Sequence, residues 1–213
     1  MLLAAYDAWG TDCVRRFIGD WAFCLYDMAR GWLFLSRDRI GVRFLYWYRD
    51  DRVFAFASEI KALFALPFVP RRWNYRALAN FLVSGLSDYS AETMFADMHQ
   101  LEPGQNLLLD LRSGEVRTER YHCFEANREP ARFEPAAAKR FAAGVRELLE
   151  DAVALRLRAD VPVGTCLSGG LDSSTVVAIT NKLLREKGLA RAQIGDRQRT
   201  FTVTFPGTPM DES

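Results

Sequence analysis

Residues 165–174, TCLSGGLDSS, set three hydroxyls and one carboxylate around a glycine pair: Ser168, Ser173, Ser174 and Asp172 flank Gly169 and Gly170. The apolar run VPVG precedes them and TVVAITNKLL follows. That order reads as strand, turn, helix, and in open parallel α/β sheets ligands bind at such a junction. Glycines let a ligand approach the backbone without meeting a Cβ. The first amides of a helix lack intrahelical acceptors and carry the positive end of its dipole, which suits a phosphate. Ser173 and Ser174 can cap the helix or donate to phosphate oxygens. Asp172 repels a bare phosphate, so the pattern implies an intervening Mg²⁺. The same residues also admit a plain strand-to-helix turn with Asp172 as its N-cap. Neither G-x-G-x-x-G nor the Walker pattern is present.

The elements that would position this turn are legible around it. AAAKRFAAGVRELLEDAVALRLR places Phe141, Val145, Leu148, Leu149, Ala152 and Val153 on one helical face. VPVGTCL then reads as a short buried strand, STVVAITNKLLREKG as a helix ended by Gly188, and TFTVTFP as a second strand. Helix, strand, turn, helix, strand opens a parallel α/β domain.

Residues 14–57 differ in kind. FIGDWAFCLYD, GWLFLSRD, RFLYWYRD and RVFAFAS are dense in aromatic and β-branched residues and read as strands, with turns at Arg30-Gly31 and Asp50-Asp51. SEIKALFAL reads as a short helix capped by Ser58, with Pro67 after its end. NYRALANFLVSG reads as a helix capped by Asn74 and stopped by Gly85. QNLLLDLRSGEVRTERYH reads as a hairpin turning at Ser113-Gly114. The polar EANREPARFEP, with its two prolines, reads as a linker. Arg37, Asp38 and Arg39 are placed to form an ion-pair network at a strand end.

Composition narrows the classes. The chain has 213 residues, 49% hydrophobic and 26% charged, with 28 basic and 27 acidic side chains. This balance speaks against nucleic-acid or membrane-surface partners. No apolar run reaches the roughly 18 residues of a membrane span. Cys13, Cys24, Cys123 and Cys166 form no C-x-x-C pair and no secretory leader precedes them. A reducing cytoplasm is the expectation. His99 and His122 are too few and too far apart to suggest zinc.

SGGLDSS resembles the pyrophosphate loop of the N-type ATP pyrophosphatase superfamily. That resemblance implies ATP and Mg²⁺, held by Leu167, Ser168, Gly169, Gly170, Leu171, Asp172, Ser173 and Ser174. It sets Asp172 toward the metal and Val203 where the family's backbone meets adenine. SRDRIGVRFLYWY, FASEIKAL and FIGDWAFCLYD resemble the later half of an N-terminal-nucleophile glutamine amidotransferase domain. In this order, with LEPGQNLLLD, ERYH and the closing Asp211-Glu212-Ser213, the chain resembles glutamine-hydrolysing asparagine synthases over essentially its whole length. Phe44 departs from the pattern by standing where the family usually has proline.

The implied fold is α+β followed by α/β: part of an N-terminal-nucleophile β-sandwich, then the start of a parallel-sheet ATP-pyrophosphatase domain. The implied domains are residues 1–66, a partial amidotransferase domain; 67–133, its remainder and a linker; and 134–213, a partial ATP-binding domain. The implied reactants are glutamine, aspartate and ATP; a homodimer is compatible with the family. The implied chemistry is asparagine formation through an acyl-adenylate. No catalytic residue is assigned, because the family's nucleophile is a cysteine following the initiator Met, and Leu2 stands there. The resemblance makes this chain the middle of a longer enzyme, with Met1 an internal valine position. A related ligase closing a β-lactam or cyclising a peptide shares the motif, and a non-catalytic remnant is the rival of another class.

Overall fold

The computed structural model describes residues 1–125, 133–187, 194–195 and 197–208. It divides into two compact units, Met1–Asn127 and Arg128–Ser213.

The first unit opens with α1 (Leu2–Trp9) and a 3₁₀ segment (Gly10–Arg16). Four strands form one antiparallel sheet: β1 (Ala22–Asp27), β2 (Trp32–Arg37), β6 (Gln105–Asp110) and β7 (Val116–Arg120), in the order β1-β2-β6-β7. A second antiparallel sheet has the order β4-β3-β5, from β3 (Tyr46–Arg49), β4 (Phe54–Ala57) and β5 (Met98–Gln100).

Strand alternation then builds the layers. Phe23, Leu25, Phe34 and Leu108 point to one face of the first sheet, where Tyr6 of α1 and Cys13 and Val14 of the 3₁₀ segment cover them. Cys24, Leu33, Leu35, Leu107 and Leu109 point to the other face and meet Leu45, Trp47 and Phe54 of the second sheet's side. Tyr48, Ala55 and Met98 line that sheet's far face against Leu63 of α2 (Ile60–Leu63) and Val69. The result is helix, sheet, sheet, helix. Leu35 and Leu107 are fully buried at its centre.

The turns form where local chemistry dictates. Gly31 and Gly114 take φ of +73° and +72° in the β1–β2 and β6–β7 turns. The Asp50 carboxylate accepts the Arg52 and Val53 amides, each at 2.8 Å, between β3 and β4. α3 (Tyr75–Ser84) is capped by Asn74, which accepts the Ala77 amide at 3.2 Å, and ends on left-handed Gly85.

Ser58 is not the cap of α2. Glu59 holds that position and makes no side-chain cap bond. β4 runs to Ala57, and the chain spends Ser58 and Glu59 turning out of the sheet before helical geometry starts. Nor do Arg37, Asp38 and Arg39 join in an ion-pair network. Asp38 accepts the amides of Ile40, Gly41, Val42 and Arg43 at 2.7 to 3.1 Å. Arg37 donates to the carbonyls of Gly41, Arg43 and Leu101 and to Gln100 Oε1. Arg39 donates to the carbonyls of Phe17 and Arg15. Backbone groups were nearer than charges.

The second unit contains α4 (Pro135–Arg156), β8 (Thr165–Cys166), α5 (Leu171–Lys187) and β9 (Thr200–Phe201). Pro135 begins α4 rather than closing a linker; residues 126–132 of that linker, and Gly188, lie outside the described residues. Of the expected strands only Thr165–Cys166 and Thr200–Phe201 form, paired in parallel. The wider parallel sheet is not shown among the described residues. Val153, Leu157, Ile179 and Leu183 make the core between α4 and α5. The rest of the α4 stripe is uncovered: Phe141 is 64% and Leu148 71% exposed. Periodicity identified a coherent face, but only its carboxy-terminal end meets α5. No helix is long and apolar enough to cross a membrane among the described residues.

Candidate functional site

The site grows from the end of β8. Thr165 N–H reaches the Arg199 carbonyl at 3.0 Å and Leu167 N–H reaches the Phe201 carbonyl at 2.9 Å, so the parallel pair delivers the chain to Leu167 in fixed register. A Cβ at Gly164 would lie 2.5 Å from the Phe201 ring, so a side chain there would have to displace that ring. The Thr202 hydroxyl donates to the Leu167 carbonyl at 2.7 Å. Beyond Leu167 the chain turns through Ser168, left-handed Gly169 (φ +78°) and Gly170, and α5 starts at Leu171.

Hydroxyls hold the turn closed. Ser168 N–H donates to Ser173 Oγ at 3.2 Å, and the Ser173 hydroxyl donates to the Gly170 carbonyl at 3.1 Å. With that proton committed, Ser168 Oγ is the donor in its 3.2 Å bond to Ser173 Oγ. Ser173 is therefore spent on bracing the loop. Ser174 N–H turns back to the Gly170 carbonyl at 3.1 Å. The amides of Leu171, Asp172 and Ser173 occupy the first turn, where helix geometry supplies no acceptor.

Asp172 is the second helical residue and not the N-cap, so the plain reading of its carboxylate does not apply. Its side chain is exposed at the positive end of α5. Leu171 and Val203 are also exposed, at 84% and 73%. Val203 follows Thr202 directly, placing it beside the start of the loop. Leu167 to Ser174 thus form one turn at the end of the β8–β9 pair, tied by Thr202 to the segment that continues into Val203.

A metal and a triphosphate can be tested against these residues. No cluster of three or more His, Cys, Asp or Glu side chains able to hold a metal occurs among the described residues. An ion here would have Asp172 as its protein ligand and take the rest of its shell from phosphate and water, the usual habit of Mg²⁺. The open space over Gly170, where a Cβ would meet only Ser168 Oγ at 3.6 Å, fits close phosphate approach.

In the first unit two thiols, those of Cys13 and Cys24, are poorly placed for nucleophilic work. Burial pushes the Cys24 thiol up to about 11, and burial likewise raises Cys13. All four cysteines are free. Sequence reasoning assigned no site to a cleft of about 480 Å³ lined by Asp20, Trp21, Ala22, Val42, Arg43, Phe44 and Ser58. Its walls come from three separate segments, so no local pattern could have announced it. Phe44, the residue that departs from the family's proline, is one of them.

The layered amino-terminal unit fits the N-terminal-nucleophile fold class, and residues 1–122 match the glutamine amidotransferase domain family. Residues 144–213 match the asparagine synthase family. The chain belongs to the asparagine synthase family, with an amidotransferase domain ahead of the synthase segment. A putative glutamine-hydrolysing asparagine synthetase 2 of Methanocaldococcus jannaschii is 37% identical over 97% of this chain and 38% of its own length. The glutamine-hydrolysing asparagine synthetase 3 of Bacillus subtilis is 34% identical over 89% of this chain and 30% of its own. An amidase, chry2, of Gibberella zeae is 32% identical over 100% of this chain and 31% of its own. The chain therefore spans less than two-fifths of the length of these relatives.

Proposed function

We propose that this chain is part of an ATP-dependent amide-forming ligase that makes asparagine from aspartate with glutamine-derived ammonia. In this reading residues 1–133 belong to the glutamine-processing half and residues 134–213 to the ATP-activating half. The aspartate β-carboxylate attacks the α-phosphorus of ATP, pyrophosphate leaves, and ammonia displaces AMP from the resulting acyl-adenylate. Leu167 to Ser174 would cradle the pyrophosphate, mostly through backbone amides at the start of α5. Val203 would border the adenine. A Mg²⁺ at Asp172 would neutralise charge on the leaving pyrophosphate, the largest service available at such a site. Four free thiols suit a reducing cytoplasm.

The observation that carries this reading is the junction itself: a glycine pair with φ +78° at Gly169, opening onto a helix whose second residue is an exposed aspartate. In the complete enzyme, Asp172→Asn is expected to lower ATP–pyrophosphate exchange by at least about 100-fold while glutamine hydrolysis is retained. Exchange equal to wild type would sink the role.

The amidase relative supports a second reading, in which the same adenylation serves another acceptor. Pyrophosphate exchange measured with aspartate and with other carboxylic acids separates the two. Exchange that ignores aspartate but answers a different acid decides for the second.

A further inference from the structure

We propose that Thr202 is a positioning residue for the phosphate loop, acting through the peptide that joins Leu167 to Ser168. This rests on the reading of residues 167–174 as an ATP site. The Leu167 carbonyl and the Ser168 N–H belong to one planar peptide unit, so fixing both ends fixes the plane. One end is held by the Thr202 hydroxyl, which donates to the Leu167 carbonyl at 2.7 Å. The other is held by Ser173 Oγ, which accepts the Ser168 N–H at 3.2 Å. The two hydroxyls come from opposite sides: Ser173 from the first turn of α5, Thr202 from the residue after β9. Between them they clamp the last peptide before the glycine turn.

The clamp matters because the backbone ladder stops there. β8 ends at Cys166 and β9 at Phe201, and Leu167 N–H to the Phe201 carbonyl is the bond that closes the pair. Past that point Thr202 uses a side chain, where the ladder had used backbone, to hold the next carbonyl. Without it the 167–168 peptide is held at its N–H end alone, by Ser173, and the dihedrals of Ser168 and Gly169 that follow it are less tightly set. A phosphate cradle assembled from backbone amides depends on that orientation being set before the ligand arrives, since ordering a loop on binding lowers affinity. Thr202 touches no ligand atom in this scheme. It acts on the loop, and the loop acts on the phosphate.

The test uses the complete enzyme with magnesium and inorganic pyrophosphate, titrated by calorimetry. Thr202→Val keeps the shape and removes the donor; Thr202→Ser keeps the donor and drops the methyl. Thr202→Val is expected to bind pyrophosphate about tenfold more weakly, the worth of one lost hydrogen bond at the upper end of the usual range. Thr202→Ser is expected within twofold of wild type, by about the same reckoning. Far-UV circular dichroism checks that each variant is folded, and Thr202→Ala replaces Thr202→Val in the comparison if the latter is not. Equal binding by Thr202→Val and wild type overturns the proposal. So does Thr202→Ser binding as weakly as Thr202→Val, because keeping the donor would then make no difference. A folded wild-type enzyme that binds no pyrophosphate overturns the ATP reading first, and the positioning role with it.

Discussion

The two units use apolar sequence differently. In Met1–Asn127 three clusters fill the spaces above, between and below two sheets, and almost every strand residue with an apolar side chain has a covered face to enter. In Arg128–Ser213 one cluster lies where α4 crosses α5, and the rest of the α4 stripe faces outward. Alternation in a strand is a demand on both faces at once, and the first unit supplies both neighbours from within. The helical stripe is a demand on one side only, and α5 answers just its carboxy-terminal end. A pattern therefore states which side of an element is to be covered; it does not state what covers it.

That contrast can be tested with a convenient probe, because all five tryptophans lie between residues 9 and 73, inside the first unit. The largest effect is expected at Phe34, which is 1% exposed and packs its ring against those of Tyr6 and Phe23 at 5.8 and 5.6 Å. Phe34→Ala should cost about 3–5 kcal/mol and move the tryptophan-detected melt to much lower temperature. A far-UV helical transition that shifts together with the fluorescence transition would show that the two units do not hold separate cores.

A smaller effect is expected from pH. His99 lies against Trp47, with ring centroids 4.6 Å apart, and burial lowers its pKa from 6.5 despite the opposing pull of Asp97. The folded state then binds fewer protons than the unfolded chain between the lowered value and 6.5. Its contribution is intact above pH 6.5 and is lost as pH falls below it. The fluorescence-detected midpoint should decline from pH 7.5 to 5.5, and His99→Gln should flatten that decline. An unchanged slope in the variant would remove His99 from the account.

The smallest change is expected in the second unit. Leu148→Glu replaces a 71% exposed residue, so stability should stay within about 0.5 kcal/mol of wild type. Binding of a hydrophobic dye should fall at the same time. A large loss of stability would mean that the stripe is covered in solution.

What the sequence made legible was what local chemistry decides. The turns at Arg30-Gly31, Asp50-Asp51 and Ser113-Gly114 need φ above zero or a carboxylate near free amides, and those residues announce themselves. Asn74 and Gly85 marked the ends of α3 for the same reason. Ser58 misled because a good capping residue is only available, not obliged, and the exit from β4 took it first. The strand expected from VPVGTCL shrank to two residues because a strand exists only as far as its partner runs, and β9 is two residues long. The glycine turn of the candidate site was readable as a motif, but its bracing was not. Ser168 to Ser173 spans five residues and was within reach, whereas Thr202 to Leu167 spans 35 and depends on two strands pairing first.

Arg37 carries a similar dependence into the order of events during synthesis. The residue is 3% exposed, and two of its acceptors, Gln100 Oε1 and the Leu101 carbonyl, lie 63 and 64 residues further along the chain. Its own carbonyl waits longer, for the hydroxyl of Tyr121, 84 residues away. A nascent chain that has reached only residue 90 has the arginine and neither of those acceptors. β2 has by then its partner β1 on one side, while its other edge is open until β6 follows. The loop of residues 37–43, braced locally by Asp38, is thus completed by residues that arrive well after it, and the first sheet closes late however early its first hairpin forms.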